Sequence, residues 1–96
     1  MKLPDIIGKN KAEIETAKSL RTKALQLFER SFDLAATHPV IKKNITRVGK
    51  KMIQQTKASW WIERRDKIFT TNWPFTTVVK LGQDLGVIRK DDKYGW

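Results

Sequence analysis

The strongest constraint on the fold is one long run of apolar residues at helical spacing, bounded by a capping residue and by a proline. Asn10 can cap a helix that begins at the next residue, and Glu13 stands at the third helical position, where a capping box places an acid. Pro39 disfavours helical geometry just before it, so the spacing predicts a helix over residues 11–37. Its predicted buried face comprises Ala17, Leu20, Ala24, Leu27, Phe28, Leu34 and Ala35.

A second helical region is predicted over residues 39–70, because Pro39 suits the first turn of a helix. Its apolar positions change register after Ser59, which predicts a break into two helices near residues 56–59. Before the break the apolar residues are Ile41, Ile45, Val48 and Met52, and after it they are Trp60, Ile62, Ile68 and Phe69.

A third helix is predicted over residues 74–86, with Asn72 or Trp73 as its cap and Pro74 in its first turn. Gly86 is the expected C-terminal cap, and Val87 the hydrophobic residue that folds back on the helix. Residues 1–10 form an N-terminal arm and residues 87–96 a tail in this interpretation. The pattern predicts a single all-α domain over residues 1–96, a small helical bundle of three to five helices.

Charge is the feature of the composition that bears on function. Twenty Lys and Arg against ten Asp and Glu give a formal charge of +10, a self-repulsion that a polyanionic partner would relieve. A hydrophobic content of 40% favours a folded basic domain over a disordered basic tail. Ninety-six residues allow one core and little room for an enclosed substrate pocket.

Several classes of function are disfavoured by the residues that the chain lacks. It has no cysteine and a single histidine, so disulfides and Cys or His metal clusters are excluded. No Gly-rich phosphate loop or serine elbow occurs, and His38 next to a proline suits a turn or capping role better than catalysis. We therefore expect no enzyme, cofactor, metal or small-molecule substrate. Because no signal peptide or transmembrane segment is recognisable, we expect a cytoplasmic protein without a membrane partner.

The candidate site is a basic run that contains no acidic residue between Leu34 and Ile62. If the run is one helix, its cations lie along one side, opposite the apolar positions, and such a stripe is typical of proteins that bind a polyanion. The alternative is that these cations lie on an ordinary helix face, contact only solvent and bind no partner. The predicted nucleic-acid contacts, to DNA or RNA and mainly independent of sequence, are Lys42, Lys43, Arg47, Lys50, Lys51, Gln54, Lys57, Trp61, Arg64 and Arg65.

Two adjacent tryptophans end this run, and on a helix they point about 100° apart. Trp60 lies closer to the direction of Ile53, which predicts that it is buried. Trp61 follows the line of Lys57 and Arg64, which predicts that it is exposed and stacks on a base or on an arginine. The alternative is that Trp61 packs against another helix or a partner protein. Glu63 and Asp66 are expected to pair with neighbouring cations.

A second apolar patch on the first helix, Leu25 and Phe32, predicts contact with another helix or a neighbouring subunit. With its length, its helices and its stripe from Lys43 to Arg64, the chain resembles the small helical subunits of CRISPR-associated interference complexes. The resemblance implies a subunit of a nucleoprotein assembly. Its stripe residues would contact a target or displaced strand, and Leu25 and Phe32 would contact other protein subunits.

Three other functions remain open at this point. The basic face could dock an acidic protein, so that the chain serves as a structural adaptor, or it could bind a membrane surface, although its apolar face is expected in the core. Residues 76–87 are similar to the first helix and turn of a helix-turn-helix DNA-binding regulator. Only nine residues follow Val87, so a terminal helix with a glycine cap is the favoured interpretation.

Overall fold

The helices and their order confirm the predicted fold class. The structure, a computed structural model, describes residues 3–69 and 74–89. Within these ranges every regular element is a helix, and the number of helices lies at the upper end of the expected three to five. The elements are α1 (Lys11–Leu34), α2 (Pro39–Ile53), α3 (Ala58–Glu63), α4 (Arg65–Phe69) and α5 (Pro74–Asp84).

The first helix begins where the capping signal predicts and ends slightly earlier than expected. The side-chain oxygen of Asn10 accepts a hydrogen bond from the backbone N–H of Glu13 at 2.9 Å. At the other end the helix stops at Leu34 rather than near residue 37, because a tight turn over residues 35–38 leads directly into α2. Leu34 was predicted to be buried and is instead 52% exposed, since it lies on the outer side of this last turn.

The core is built around α1, which contacts each of the other four helices. The buried side of α1 is the predicted one, and two of its residues are fully buried alanines, Ala17 and Ala24, whose small side chains allow neighbouring helices to approach closely. Each large apolar side chain buried against α1 contributes about 1.5–3 kcal/mol to stability. The largest of these from the other helices are Ile45, Met52, Trp61, Ile68 and Leu81.

The predicted helix over residues 39–70 is divided into α2, α3 and α4. The main break lies at residues 54–57, which confirms a break close to the expected position. Here the N-terminal arm forms hydrogen bonds with the non-helical backbone between α2 and α3. The N–H of Ile7 donates to the carbonyl of Thr56 at 2.7 Å, and the N–H of Ala58 donates to the carbonyl of Ile7 at 2.8 Å. The arm thus satisfies backbone groups that the interrupted helix leaves free.

The arm is also held by α1. Ile6 is buried in the core, and the guanidinium of Arg21 donates a hydrogen bond of 2.6 Å to the carbonyl of Pro4. Arg21 itself is only 7% exposed, which is unusual for an arginine. Nothing in the local sequence pattern predicts this docking.

The end of α5 confirms the predicted glycine cap. Gly86 has a φ of +76°, the left-handed conformation that favours glycine. Its N–H donates to the carbonyl of Gln83, and the N–H of Val87 donates to the carbonyl of Gly82, the two hydrogen bonds of a Schellman motif. The predicted caps Asn72 and Trp73, and the tail beyond residue 89, lie outside the described residues.

Candidate functional site

The second helix lies at the edge of the bundle and is amphipathic. Ile45, Val48 and Met52 are buried, and this side of α2 packs against α1 and α5. Ile41 is half-buried at the same core. The predicted apolar face of α2 is therefore confirmed, and the rest of the helix surface faces solvent.

Four exposed cations lie on the side of α2 opposite this apolar face. At 100° per residue they fall within an arc of about 100°. Within residues 3–69 and 74–89 none of the four forms an ion pair. The predicted gathering of cations on the outer side of this helix is confirmed, and we name the set the α2 basic face: Lys43, Arg47, Lys50 and Lys51.

The other cation predicted on this helix, Lys42, lies on a different side of α2. Its ammonium group is 4.6 Å from the centre of the Phe32 ring on α1, a cation–π contact. Lys42 therefore helps to connect the two helices near their shared turn, and it is not one of the α2 basic face.

The prediction of one stripe from Lys43 to Arg64 is wrong, because the helix does not continue. Gln54 ends α2, and Lys57 precedes α3 with an extended backbone at φ −81° and ψ 122°. Both side chains are exposed, but the break redirects the chain between them. The cations before and after residues 54–57 therefore do not lie along one helix face.

The prediction for Trp61 is wrong, and the prediction for Trp60 holds only in part, since Trp60 packs against the core but is not fully buried. Trp61 is 0% exposed, and its indole N–H donates a hydrogen bond of 2.9 Å to the carbonyl of Gln55. Trp60 is half-buried at the surface, with the guanidinium carbon of Arg64 4.2 Å from its ring centre. The angular extrapolation from Ile53 and Lys57 failed because α3 starts in a new direction after the break. Trp61 follows the alternative interpretation, packing within the protein.

Arg64 is held in a network of the protein's own groups. Its Nε atom donates to Asp84 on α5 at 3.0 Å, and Lys67 contacts the same carboxylate oxygen at 2.6 Å. Glu63 lies 3.6 Å from Arg64, which confirms its expected pairing with a neighbouring cation. We name Trp60, Arg64, Lys67 and Asp84 the Asp84 network. Sequence reasoning missed Asp84 because it lies 20 positions from Arg64.

Of the predicted subunit contacts, one residue is taken up internally and one is exposed. Leu25 is half-buried and packs against the chain's own core. Phe32 is 41% exposed and lines one end of an open groove of about 480 Å³ between α1 and α2. Contact with a neighbouring subunit stays a prediction, and Phe32 is the residue available for it.

His38 has the turn role expected of it. It precedes α2, and its N–H donates to the carbonyl of Ala35 at 2.9 Å. Over the described ranges no three His, Cys, Asp or Glu side chains come together in a way that could hold a metal ion. None of the helices described here combines the length and the apolar composition needed to cross a bilayer.

Comparison of the chain with protein-family models, with curated proteins and with solved structures found no significant match.

Proposed function

We propose that this protein is a non-enzymatic nucleic-acid-binding protein that holds the phosphate backbone on the α2 basic face. One observation supports this above all: four exposed cations lie side by side on a peripheral helix without an ion pair among the described residues. By contrast, Arg64 and Lys67, later in the same basic region, are paired with a carboxylate.

The spacing and surroundings of these cations suit a phosphate backbone. From Lys43 to Lys50 the helix rises about 10 Å, so several phosphates can be contacted without rearrangement. A polyanion would also relieve the repulsion of a chain with a formal charge of +10.

Phosphate contacts position a protein without reading bases, so binding is expected to be largely independent of sequence. Trp61 was the predicted stacking residue and is buried, which removes the expected base contact. Membership of a nucleoprotein assembly such as a CRISPR-associated effector complex stays a prediction, in which these cations contact the strand and Phe32 contacts a neighbouring subunit.

A second candidate function rests on the same cations: the chain is a structural adaptor whose α2 basic face docks an acidic protein. A third, a helix-turn-helix regulator, is disfavoured. The Gly86 turn ends α5 in a closed cap, and Ile88 folds back into the core instead of leading outward.

The test of nucleic-acid binding is a fluorescence anisotropy titration of labelled single-stranded DNA, duplex DNA and RNA at several salt concentrations. If the four cations contact four phosphates, the logarithm of the affinity falls with the logarithm of the salt concentration with a slope of about 3–4. The proposal would be overturned if the wild-type protein bound none of the three probes at low salt. Binding of acidic protein in place of nucleic acid would favour the adaptor function.

Two variants with the same loss of charge show whether α2 carries the binding. In the first, Lys43, Arg47 and Lys51 are each changed to Gln, and in the control Lys11, Arg30 and Lys80, which are exposed on α1 and α5, are changed to Gln. The first variant is expected to lower the salt slope by about 2–3 and the control by less than about 1. Circular dichroism checks that both remain folded. Equal losses in the two variants would mean that only total charge matters.

A further inference from the structure

The groove between α1 and α2 has an apolar floor and two rims of unlike charge. Phe28, Ile45, Gly49 and Ile53 form most of its floor, and Phe32 lies at one end. The α1 rim carries the exposed carboxylates Glu29 and Asp33, while the α2 rim carries Thr46 and Lys50. We name this feature the α1–α2 groove.

The unlike charges of the two rims face each other across the groove but do not pair. Gly49 lies against Phe28, since a Cβ atom added at Gly49 would lie 3.4 Å from the Phe28 ring. Their chain neighbours, Lys50 and Glu29, are therefore at about the same level along the groove. Within the described ranges neither Glu29, Asp33 nor Lys50 forms an ion pair. The charged groups of both rims are therefore available to a partner that enters the groove.

We propose that the α1–α2 groove is the interface of a homodimer. A two-fold axis parallel to the groove turns one copy over, so that the acidic rim of each copy meets the basic rim of the other. Glu29 of each copy then lies opposite Lys50 of the other copy, and Asp33 opposite Thr46. The same rotation covers the exposed ring of Phe32 in both copies. An isologous interface of this kind requires a self-complementary surface, and the two rims provide one.

Gly49 supports the close approach of a second chain. A glycine inside a helix costs about 1 kcal/mol relative to alanine, and nothing among residues 3–69 and 74–89 requires a glycine at position 49. Its φ is not in the left-handed region, and an added Cβ would make only ordinary van der Waals contacts with Phe28. The missing side chain keeps the floor of the groove open to an occupant.

A second copy fits the charges better than an unrelated chain, because the acidic rim of each copy supplies a partner for the basic rim of the other. The positive charge of the chain opposes dimer formation. At physiological salt, however, charges more than about 8 Å apart are largely screened, so the rim pairs act more strongly than distant cations. Of the α2 basic face, only Lys50 also lines the groove. Lys43, Arg47 and Lys51 point about 60° or more away from the groove side of α2, so they stay available to nucleic acid in the dimer.

The experiment is sedimentation equilibrium without nucleic acid, at protein concentrations from about 10 μM to about 1 mM, the range of a small, weak interface. The wild type is expected to dimerise reversibly. Glu29→Lys alone and Lys50→Glu alone each place like charges opposite one another twice per dimer, and each is expected to weaken dimer formation at least about tenfold.

Charge exchange gives the decisive measurement. Mixing Glu29→Lys with Lys50→Glu in equal amounts is expected to restore a heterodimer, because each copy again faces an opposite charge. The double variant with both changes in one chain should dimerise like the wild type for the same reason. Circular dichroism checks that each variant folds, and both changes lie on exposed side chains.

Three results would overturn the dimer. One is a wild type that remains monomeric over the whole range. Another is stronger dimer formation by Lys50→Glu, which is what a lower net charge alone would produce. The third is a mixture that forms no heterodimer. None of them decides whether the α2 basic face binds nucleic acid, because that test changes Lys43, Arg47 and Lys51 and leaves Glu29 and the shared residue Lys50 unchanged.

Discussion

The α2 basic face and the Asp84 network come from one basic region of the sequence, but their cations differ in exposure and in pairing. On α2 the cations are exposed and unpaired among the described residues, whereas Arg64 and Lys67 share a carboxylate from α5 and have side chains only 19% and 38% exposed. The difference arises at residues 54–57, where the helix breaks: α3 then packs against α1, and α4, which follows it, contacts α5. A run of cations in a sequence therefore becomes an available surface only where the fold brings no carboxylate to it.

Among the variants that test this comparison, the largest loss of stability is expected on replacing one of the two tryptophans. Trp61→Ala removes a fully buried side chain and its hydrogen bond to Gln55, and should destabilise the protein by about 3–5 kcal/mol. Trp60→Ala, at the half-buried neighbouring position, should cost about 1–2 kcal/mol, because it removes a surface contact with Arg64. Urea unfolding of both variants gives the comparison. A greater loss for Trp60→Ala would reverse the assignment of the buried ring.

The next effect concerns two glycines that face the core and the groove. A Cβ at Gly82 would lie 2.6 Å from Ile88 Cδ1 and 2.9 Å from Val48 Cγ2, so Gly82→Ala should destabilise by about 1–3 kcal/mol. Gly49→Ala has room for its methyl group and should stabilise the monomer by about 0.5–1 kcal/mol. Thermal melts at a low protein concentration compare the two. If both variants lowered the melting temperature by a similar amount, the surroundings of Gly49 on α2 would be packed as tightly as those of Gly82 on α5.

A smaller effect is expected from the carboxylate that distinguishes the two regions. Asp84→Asn removes the ion pairs to Arg64 and Lys67, and because these groups are partly solvated it should cost about 1–2 kcal/mol. The matched control is the triple change of Lys43, Arg47 and Lys51 to Gln, which should alter stability by less than about 0.5 kcal/mol. Both are measured by urea unfolding. Equal losses would imply that the α2 cations have intramolecular partners.

Features set by short-range rules could be predicted from the sequence. The Asn10 cap, the proline at the start of α2 and the glycine cap of α5 each depend on a few neighbouring residues, and all three are confirmed. The buried face of α1 was predictable because one uninterrupted helix keeps its angular period over many turns. These local rules place the cations of α2 on its outer side.

Features that depend on distant parts of the chain were not predictable in the same way. The positions of Trp60 and Trp61 required the direction in which α3 leaves the break, and a helical period cannot be extended across an interruption. The pairing of Arg64 required Asp84, from a helix later in the sequence. The groove between α1 and α2 required the angle between two helices, which the spacing of apolar residues does not give.

The docked N-terminal arm has a mechanical consequence for α2. Hydrogen bonds between Ile7 and the backbone on either side of Lys57 join points 50 positions apart, so α1 and α2 lie inside a closed loop of the chain. The second helix is thereby anchored at both ends, by the turn after α1 and by the arm. Detaching the arm would leave a single hinge at residues 35–38, and the cations on α2 would no longer hold a fixed orientation relative to the rest of the bundle.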